Sequence, residues 1–243
     1  MSVADARRAV AFLTPLGGAT APAPQALAWF PLVGAALGAA LGLAWWGLDR
    51  IAPPAVAAAG VVALDLGLTG MLHLDGVADS ADGLLPHLDR ARRLAVMREP
   101  CLGAFGLAAG AVTLLVRWSA FFSMAPSVLL VVALWTASRT AMAATATAVP
   151  YARADGGLAT AFLGESATRS GWTAVVVGVP LAVGCAVAAR PVAGPVALAA
   201  GAAAAGAVVL LAVRRVGGFT GDVLGAAGIA LETVGLVVGT FRW

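Results

Sequence analysis

The sequence contains little charge and no lysine. Only 11% of its 243 residues are charged, and all fifteen basic residues are arginine. Typical soluble domains are about 25% charged. Hydrophobic residues make up 61% of the chain, and the mean hydropathy is +0.94. A soluble core of this size could not bury so much apolar surface, so we predict an integral membrane protein.

Cysteine is also scarce, because only Cys101 and Cys185 are present. Two cysteines in or beside apolar stretches exclude a disulfide framework and a zinc cluster of the usual kind. The arginines are not gathered on a soluble face, which argues against nucleic-acid binding. Near the start, Arg7 and Arg8 precede a short apolar run that ends at Pro15. We interpret this segment as retained and lying on the membrane surface rather than as a signal peptide.

Long apolar windows recur along the chain. A spanning helix needs about 20 mostly apolar residues, and seven windows qualify. They run over Ala26–Leu48, Ala52–Leu72, Leu102–Met124, Ser127–Val149, Trp172–Ala189, Val192–Val213 and Phe219–Phe241. The predicted fold is all-α, a polytopic transmembrane helical bundle of about seven spans, and six to eight spans fit the same boundaries. We predict a single integral membrane domain over residues 1–243.

The arginines are distributed unevenly between the predicted loops. With the N-terminus inside, ten lie in the inside segments and three in the outside segments, while Arg117 and Arg139 fall within spans. Positive residues near span ends are retained in the cytoplasm, so the N-terminus is predicted to be cytoplasmic and the C-terminus outside. Glycines at positions 34, 38 and 42 recur every four residues, which predicts a close helix contact.

The longest polar stretch, residues 73–101, contains three closely spaced aspartates. Asp75, Asp79 and Asp82 are separated by four and three residues. On a helix they would lie within about 60° of one another. Carboxylates this close repel unless a cation lies among them, and their oxygens suit Mg²⁺ or Mn²⁺. A glycine-containing turn is an equally good geometry, and a solvated helix end is the simpler alternative.

Arginines follow these acids in the same stretch. Arg90, Arg92, Arg93 and Arg98 can bind phosphate oxygens through their guanidinium groups. Arg98 is the favoured site residue because it adjoins Glu99 and a glycine-rich segment. Acids for a metal beside arginines for phosphate are typical of phosphoryl transfer. Alternatively, these arginines only fix the topology and contact anionic lipid.

Further polar segments are predicted at the same membrane face. Together with the first stretch, the loops expected to carry the chemistry are residues 73–101, 150–171 and 214–222. His73 could act as a base toward an attacking hydroxyl, although on a continuous helix it would point about 160° away from Asp75. Asp65 and Arg139 would be costly in lipid, so both should face the bundle interior or water. Asp65 is interpreted as a packing residue outside the site.

At these residues the sequence resembles the cobalamin synthase family, over nearly the whole chain. The matching segments are HLDGVADSADGL from His73, MREPCLGAFG from Met97, Ser138-Arg139, PYARADGGL from Pro150 and GGFTGDVLGA from Gly217. The resemblance implies a bacterial enzyme of the cytoplasmic membrane with its site loops inside. It also implies that adenosylcobinamide-GDP is joined to α-ribazole, or to α-ribazole 5′-phosphate, with release of GMP.

The resemblance carries over to individual positions. We expect Asp75, Asp79 and Asp82 to hold Mg²⁺ and, with His73, to form the catalytic group. The substrate-binding residues that we expect are Arg93, Arg98, Glu99, Arg139, Arg153, Asp155 and Asp222.

Two other functions were weighed. A CDP-alcohol phosphotransferase also uses acids at a membrane face, but its signature fits poorly because Ala78 is followed by Asp79 where arginine is expected. A transporter could use Asp65, Arg139 and Glu232 as intramembrane charges. A homo-oligomer is compatible with the sequence.

Overall fold

The computed structural model of the chain describes residues 2–153 and 156–241. Within them the chain forms ten α-helices joined by short turns and three 3₁₀ helices. The α-helices are α1 (Val3–Leu13), α2 (Phe30–Leu48), α3 (Pro54–Thr69), α4 (Leu72–Leu84), α5 (Arg90–Val96), α6 (Ala104–Ser123), α7 (Val128–Ala148), α8 (Glu165–Ala189), α9 (Ala193–Val216) and α10 (Gly221–Gly239). The 3₁₀ helices are Pro15–Gly17, Pro24–Trp29 and Leu158–Phe162.

Six of these helices are long and apolar enough to cross a membrane: α2 with the 3₁₀ turn before it, and α6 to α10. Helix α3 joins the two ends of the bundle. At one end the Trp118 indole donates to the carbonyl of Ala55 (3.0 Å), and at the other Gly70 packs on Pro15. In the described part of the chain the candidate crossings number six, or seven if α3 and the helix bent away from it, α4, are counted as one span. Helix α4 bends away from α3 by 88° and lies at what we call the site end.

The predicted window Ala52–Leu72 was too long. Helix α3 ends at Thr69 because Gly70 and Met71 both adopt left-handed conformations, with φ of 58° and 59°. A non-glycine residue is uncommon there, and two such residues in succession redirect the chain. The window beginning at Trp172 was too short. Helix α8 starts at Glu165 because a polar first turn extends it beyond the apolar segment.

The glycines spaced by four in α2 contact α7, which confirms the predicted close helix packing. A methyl group at position 38 would come within 2.7 Å of the Val132 Cα atom. Backbones can approach this closely only where side chains are absent, and such contacts replace the missing hydrophobic drive in lipid.

Four charged side chains pair inside the bundle, at the level of the spans. Arg117 donates to Asp65 and to Glu232, and Arg139 donates to the other oxygen of Glu232. The Trp135 indole donates to the second oxygen of Asp65 at 3.1 Å. All four charged residues are buried, and the two positive charges balance the two negative ones. We call these four residues the buried charge network.

This network corrects the role predicted for Arg139. Its side chain is 1% exposed and bonds Glu232 and Ser138, so it has no access to a phosphate at the site end. A guanidinium in an apolar interior needs a partner charge, and Glu232, on α10, supplies it. Asp65 has the packing role predicted for it. The same pairing leaves no open row of charges of the kind the transporter hypothesis required.

Removing the central carboxylate of the network should destabilise the fold. In Glu232→Gln, two buried guanidiniums share the single charge of Asp65, so we expect a loss of about 3–5 kcal/mol in the free energy of unfolding. Thermal unfolding in detergent measures this. The control is Glu165→Gln on the exposed first turn of α8, which should leave the midpoint unchanged. Equal midpoints for the two variants would contradict the role of the network.

Candidate active site

Helix α4 lies across the site end of the bundle, packed against α10 and α6. Its contact with α10 is unusually close. A methyl group at Gly76 would come within 2.7 Å of the Asp222 carbonyl oxygen, and one at Gly225 within 3.2 Å of the His73 Cα atom. A side chain at position 76 would require the backbone to shift, and one at position 225 would make a tight contact. These close approaches bring the acidic face of α4 next to the first turn of α10, which carries Asp222.

Two of the predicted aspartates face a large open cavity. Asp75 and Asp79 line a cavity of about 750 Å³ between α4, α6 and the segment before α6. Among the described residues, neither carboxylate has a hydrogen-bond or ion-pair partner. Burial, and then the neighbouring carboxylates of Asp222 and Asp75, raise the pKa of Asp79 to about 7. Near neutral pH the Asp79 carboxyl is therefore partly protonated, and a nearby cation would favour its charged form.

Asp82 is placed differently from the prediction. Its two carboxylate oxygens accept hydrogen bonds from the backbone N–H groups of Gly103 (2.7 Å) and Gly106 (2.9 Å). These N–H groups belong to the start of α6, where no intrahelical partner exists, so Asp82 caps that helix. Asp82 does not line the cavity that Asp75 and Asp79 share. The geometry assigns it to the support of the site.

Arg93 is also a supporting residue rather than a phosphate ligand. Its guanidinium is buried and donates to the carbonyl oxygens of Gly83 (2.9 Å) and Leu84 (2.8 Å) at the end of α4. These carbonyls have no partner within the helix, and a cation there also complements the helix dipole. Its hydrogen bonds thus fix α5 to the end of α4.

Arg153 lies opposite the acids. Its guanidinium donates to the Asp222 carboxylate at 2.8 Å, and it lines the main cavity together with Asp75 and Asp79. The position of Arg153 follows from a short backbone pairing between neighbouring segments. Ala152 N–H donates to Phe219 and Phe219 N–H donates to Pro150, each at 2.9 Å. The predicted loops 150–171 and 214–222 thus meet at the site.

The segment before α6 completes the main cavity. Arg98, Glu99 and Cys101 line it. Glu99 accepts from Arg92 at 2.6 Å in an exposed ion pair, so its carboxylate is neutralised there. Asp155, the remaining predicted substrate residue, lies outside the described residues.

A second, smaller cavity adjoins the first. It measures about 200 Å³ and shares Asp75 and Arg153 with the main cavity. His73 lines it, with Asp222 at its edge. His73 is buried, and burial together with the positive charges of Arg139 and Arg117 lowers its pKa well below the usual range. The imidazole is therefore neutral near pH 7, and the lowered pKa makes it a weak base.

No group of three His, Cys, Asp or Glu side chains in the described part of the chain is arranged to hold a metal ion. Asp75 and Asp79 nevertheless fit a hard divalent cation, because both are oxygen donors without hydrogen-bond or ion-pair partners in the described part of the chain, and they repel each other. Mg²⁺ commonly takes only one or two carboxylates and completes its coordination with water and substrate phosphates. These two residues are thus the suitable donors.

The chain is similar to known proteins over most of its length. The family model described as cobalamin-5-phosphate synthase matches residues 5–240. The chain belongs to this family. Proteins named adenosylcobinamide-GDP ribazoletransferase are similar to it along most of their length. The protein from Syntrophobacter fumaroxidans is 38% identical over 217 residues, covering 87% of this chain and 86% of the relative.

Two other relatives carry the same name. The protein from Ralstonia nicotianae is 37% identical over 220 residues, covering 88% of this chain and 83% of that protein. The protein from Bradyrhizobium diazoefficiens is 35% identical over 255 residues, covering 97% of this chain and 93% of that protein. No solved structure matches the chain. Family membership confirms the resemblance that the sequence motifs indicated.

Some supporting residues of this cobalamin-5-phosphate synthase family member were not given that role from its sequence, which grouped Arg90 with the phosphate-binding arginines. Arg90 donates to the carbonyl oxygens of Val216 (2.8 Å) and Ala152 (3.2 Å), so it joins α5 to the two loops of the site. Its sequence signal was the same as that of the neighbouring arginines, so position alone could not separate its role. Tyr151, which lines the second cavity, is the chain's only tyrosine.

The different environments of Asp82 and Asp79 predict different effects on stability. Asp82→Ala leaves two buried N–H groups without an acceptor, so we expect a loss of about 1–3 kcal/mol in the free energy of unfolding. The matched variant Asp79→Ala removes an unpaired, repelled carboxylate and should not lower stability. Thermal unfolding of both variants in detergent distinguishes them. A midpoint lowered more by Asp79→Ala than by Asp82→Ala would contradict the assignment.

Proposed function

We propose that this protein joins adenosylcobinamide-GDP to α-ribazole, or to its 5′-phosphate, by phosphoryl transfer to a ribose hydroxyl. The observation that carries the proposal is a cavity at the site end lined by Arg153 and by two carboxylates, Asp75 and Asp79, that have no hydrogen-bond or ion-pair partner among residues 2–153 and 156–241. The names of the relatives supply the identity of the substrates. The cavity supplies what a diphosphate requires, namely donors for a cation and a guanidinium for its oxygens.

In the proposed reaction the acceptor's hydroxyl oxygen attacks the phosphorus attached to the cobinamide side. A new oxygen–phosphorus bond forms, and the bond from this phosphorus to the oxygen bridging to the guanosine phosphate breaks. GMP leaves with the electron pair of that bond. The hydroxyl proton passes to a base, and the phosphodiester of the product remains.

The residues of the chain have separate tasks in this proposal. Asp75 and Asp79 would hold Mg²⁺, which when bound withdraws charge from the diphosphate oxygens and orients them. Arg153 and Arg98 neutralise the remaining phosphate charge. Asp222 keeps the Arg153 guanidinium in place through its 2.8 Å ion pair. The neutral His73 ring accepts the hydroxyl proton.

The carboxylate of Asp79 is the most direct test of this proposal. Asp79→Asn keeps the size of the side chain but removes the charge that binds the cation, so GMP release should fall about 100-fold or more while the thermal midpoint is unchanged. The assay supplies adenosylcobinamide-GDP, α-ribazole and Mg²⁺ to purified protein and measures GMP. Chelation by EDTA should abolish release, and added Mg²⁺ should restore it.

Two results would contradict the assignment. Wild-type turnover in Asp79→Asn would exclude Asp79 as a cation ligand, and undiminished GMP release in EDTA would exclude the cation itself. His73→Ala gives a separate reading, because near-normal turnover in that variant would remove the base role of His73 and leave the cation proposal standing.

We also propose that the site end faces the cytoplasm of a bacterial cell. The excess of arginines in the segments at this end supports the proposal. Cys101 is exposed there, whereas Cys185 is half-buried within α8. In a Cys185→Ser background, a membrane-impermeant maleimide should label Cys101 in inverted membrane vesicles and not in right-side-out vesicles. Labelling only in right-side-out vesicles would reverse the orientation.

A further inference from the structure

The second cavity has a composition different from that of the main one. Its walls come from α1, α4, α7, α10 and the segment after α7, and they are largely apolar and aromatic. Phe12 on one side packs edge-to-face on Phe162, with ring centroids 4.7 Å apart. Tyr151 on another side packs on Phe219 at 5.3 Å. Because these rings are supported by further rings, they form fixed surfaces of the kind that bind planar aromatic groups.

The same cavity contains polar atoms without protein partners. The Nδ1 atom of His73 is buried and has no hydrogen-bond partner among the described residues, and the same is true of the Nε atom of Arg153. A buried polar atom without a partner is costly, and both atoms belong to residues that line this cavity, so a ligand's polar group that reaches them would relieve that cost. A ligand for this cavity should therefore combine a flat aromatic part with hydroxyl groups.

The main cavity suits a larger ligand. It is more than three times the volume, about 750 Å³ against 200 Å³. It extends from Asp75 and Asp79 along α6, where the apolar side chain of Leu107 is 61% exposed. This surface continues from a polar end to an apolar wall, which fits a bulky molecule carrying a charged diphosphate at one end.

We propose that the second cavity is the binding site of the acceptor nucleoside, with its aromatic base between Phe12 and Tyr151 and its ribose at His73 and Asp75. The inference rests on the proposed function and divides the two substrates between the two cavities. The corrinoid diphosphate occupies the main cavity. Asp75 and Arg153 belong to both cavities, so the attacking hydroxyl and the phosphorus meet at the boundary that these two residues form.

A matched pair of substitutions tests this division. Ala159 lines the second cavity and Ala111 lines the main one. Ala159→Leu fills the smaller space, so the KM for α-ribazole should rise about tenfold or more while the KM for adenosylcobinamide-GDP stays within about twofold. Ala111→Leu, the same change on α6, should leave the KM for α-ribazole unchanged and raise that for adenosylcobinamide-GDP.

A second variant addresses the case in which Ala159→Leu does not fold, because Ala159 is buried. Phe12→Leu keeps an apolar side chain of similar volume but removes the flat ring. It should raise the KM for α-ribazole several-fold and leave that for adenosylcobinamide-GDP unchanged. The matched control is Phe105→Leu on α6, an exposed ring that lines neither cavity, which should change neither KM.

The outcomes separate the two proposals. If wild-type protein releases GMP but the folded variants leave the KM for α-ribazole unchanged, the cavity assignment fails and the proposed function stands. A rise in the KM for adenosylcobinamide-GDP in Ala159→Leu would likewise overturn the assignment. If wild-type protein releases no GMP from the two substrates with Mg²⁺, the proposed function fails and the assignment fails with it.

Discussion

The site depends on the sharp turn between α3 and α4. Two successive left-handed residues, Gly70 and Met71, end α3 and turn the next helix by 88° across the end of the bundle. A straight continuation would carry Asp75 and Asp79 beyond the bundle into water, away from α10. The turn instead lays them against the start of α10, where Gly76 permits backbone contact with Asp222. The positions of the two acids relative to Arg153, and with them both cavities, depend on this turn.

Most of the architecture could be predicted from the sequence because the membrane imposes it. Apolar windows of about 20 residues locate spanning helices with little dependence on tertiary contacts. The small-residue pattern in α2 predicted a close helix contact, and α7 is the helix that makes it. The turn after Thr69 escaped prediction because hydropathy continues smoothly across it, and Met71 gives no signal of a positive φ. Helix α8 began earlier than expected because hydropathy does not count a polar first turn.

The site was predicted less completely, because spacing alone does not tell which partner a charged side chain meets. Asp82 follows Asp79 by three residues, yet its oxygens cap α6 through Gly103 and Gly106, more than twenty positions away in the chain. Arg93 and Arg139 likewise matched the expected chemistry by residue type, and each is used by the fold instead. Tertiary packing decides that Asp82 meets the start of α6, that Arg93 meets the end of α4 and that Arg139 meets Glu232.

Charged side chains that stabilise the fold are therefore paired with an opposite charge or with helix-end groups, whereas the two aspartates available for chemistry have no such partner in the described part of the chain. A membrane bundle tolerates a buried charge only when a partner neutralises it, as Glu232 does for Arg117 and Arg139. Asp75 and Asp79 break that rule at the edge of the bundle, where burial and mutual repulsion disfavour two unneutralised carboxylates. The raised pKa of Asp79, about 7, relieves part of this repulsion by protonation. In the proposed function a cation held by the two carboxylates would supply the positive charge instead and would favour the charged form of Asp79.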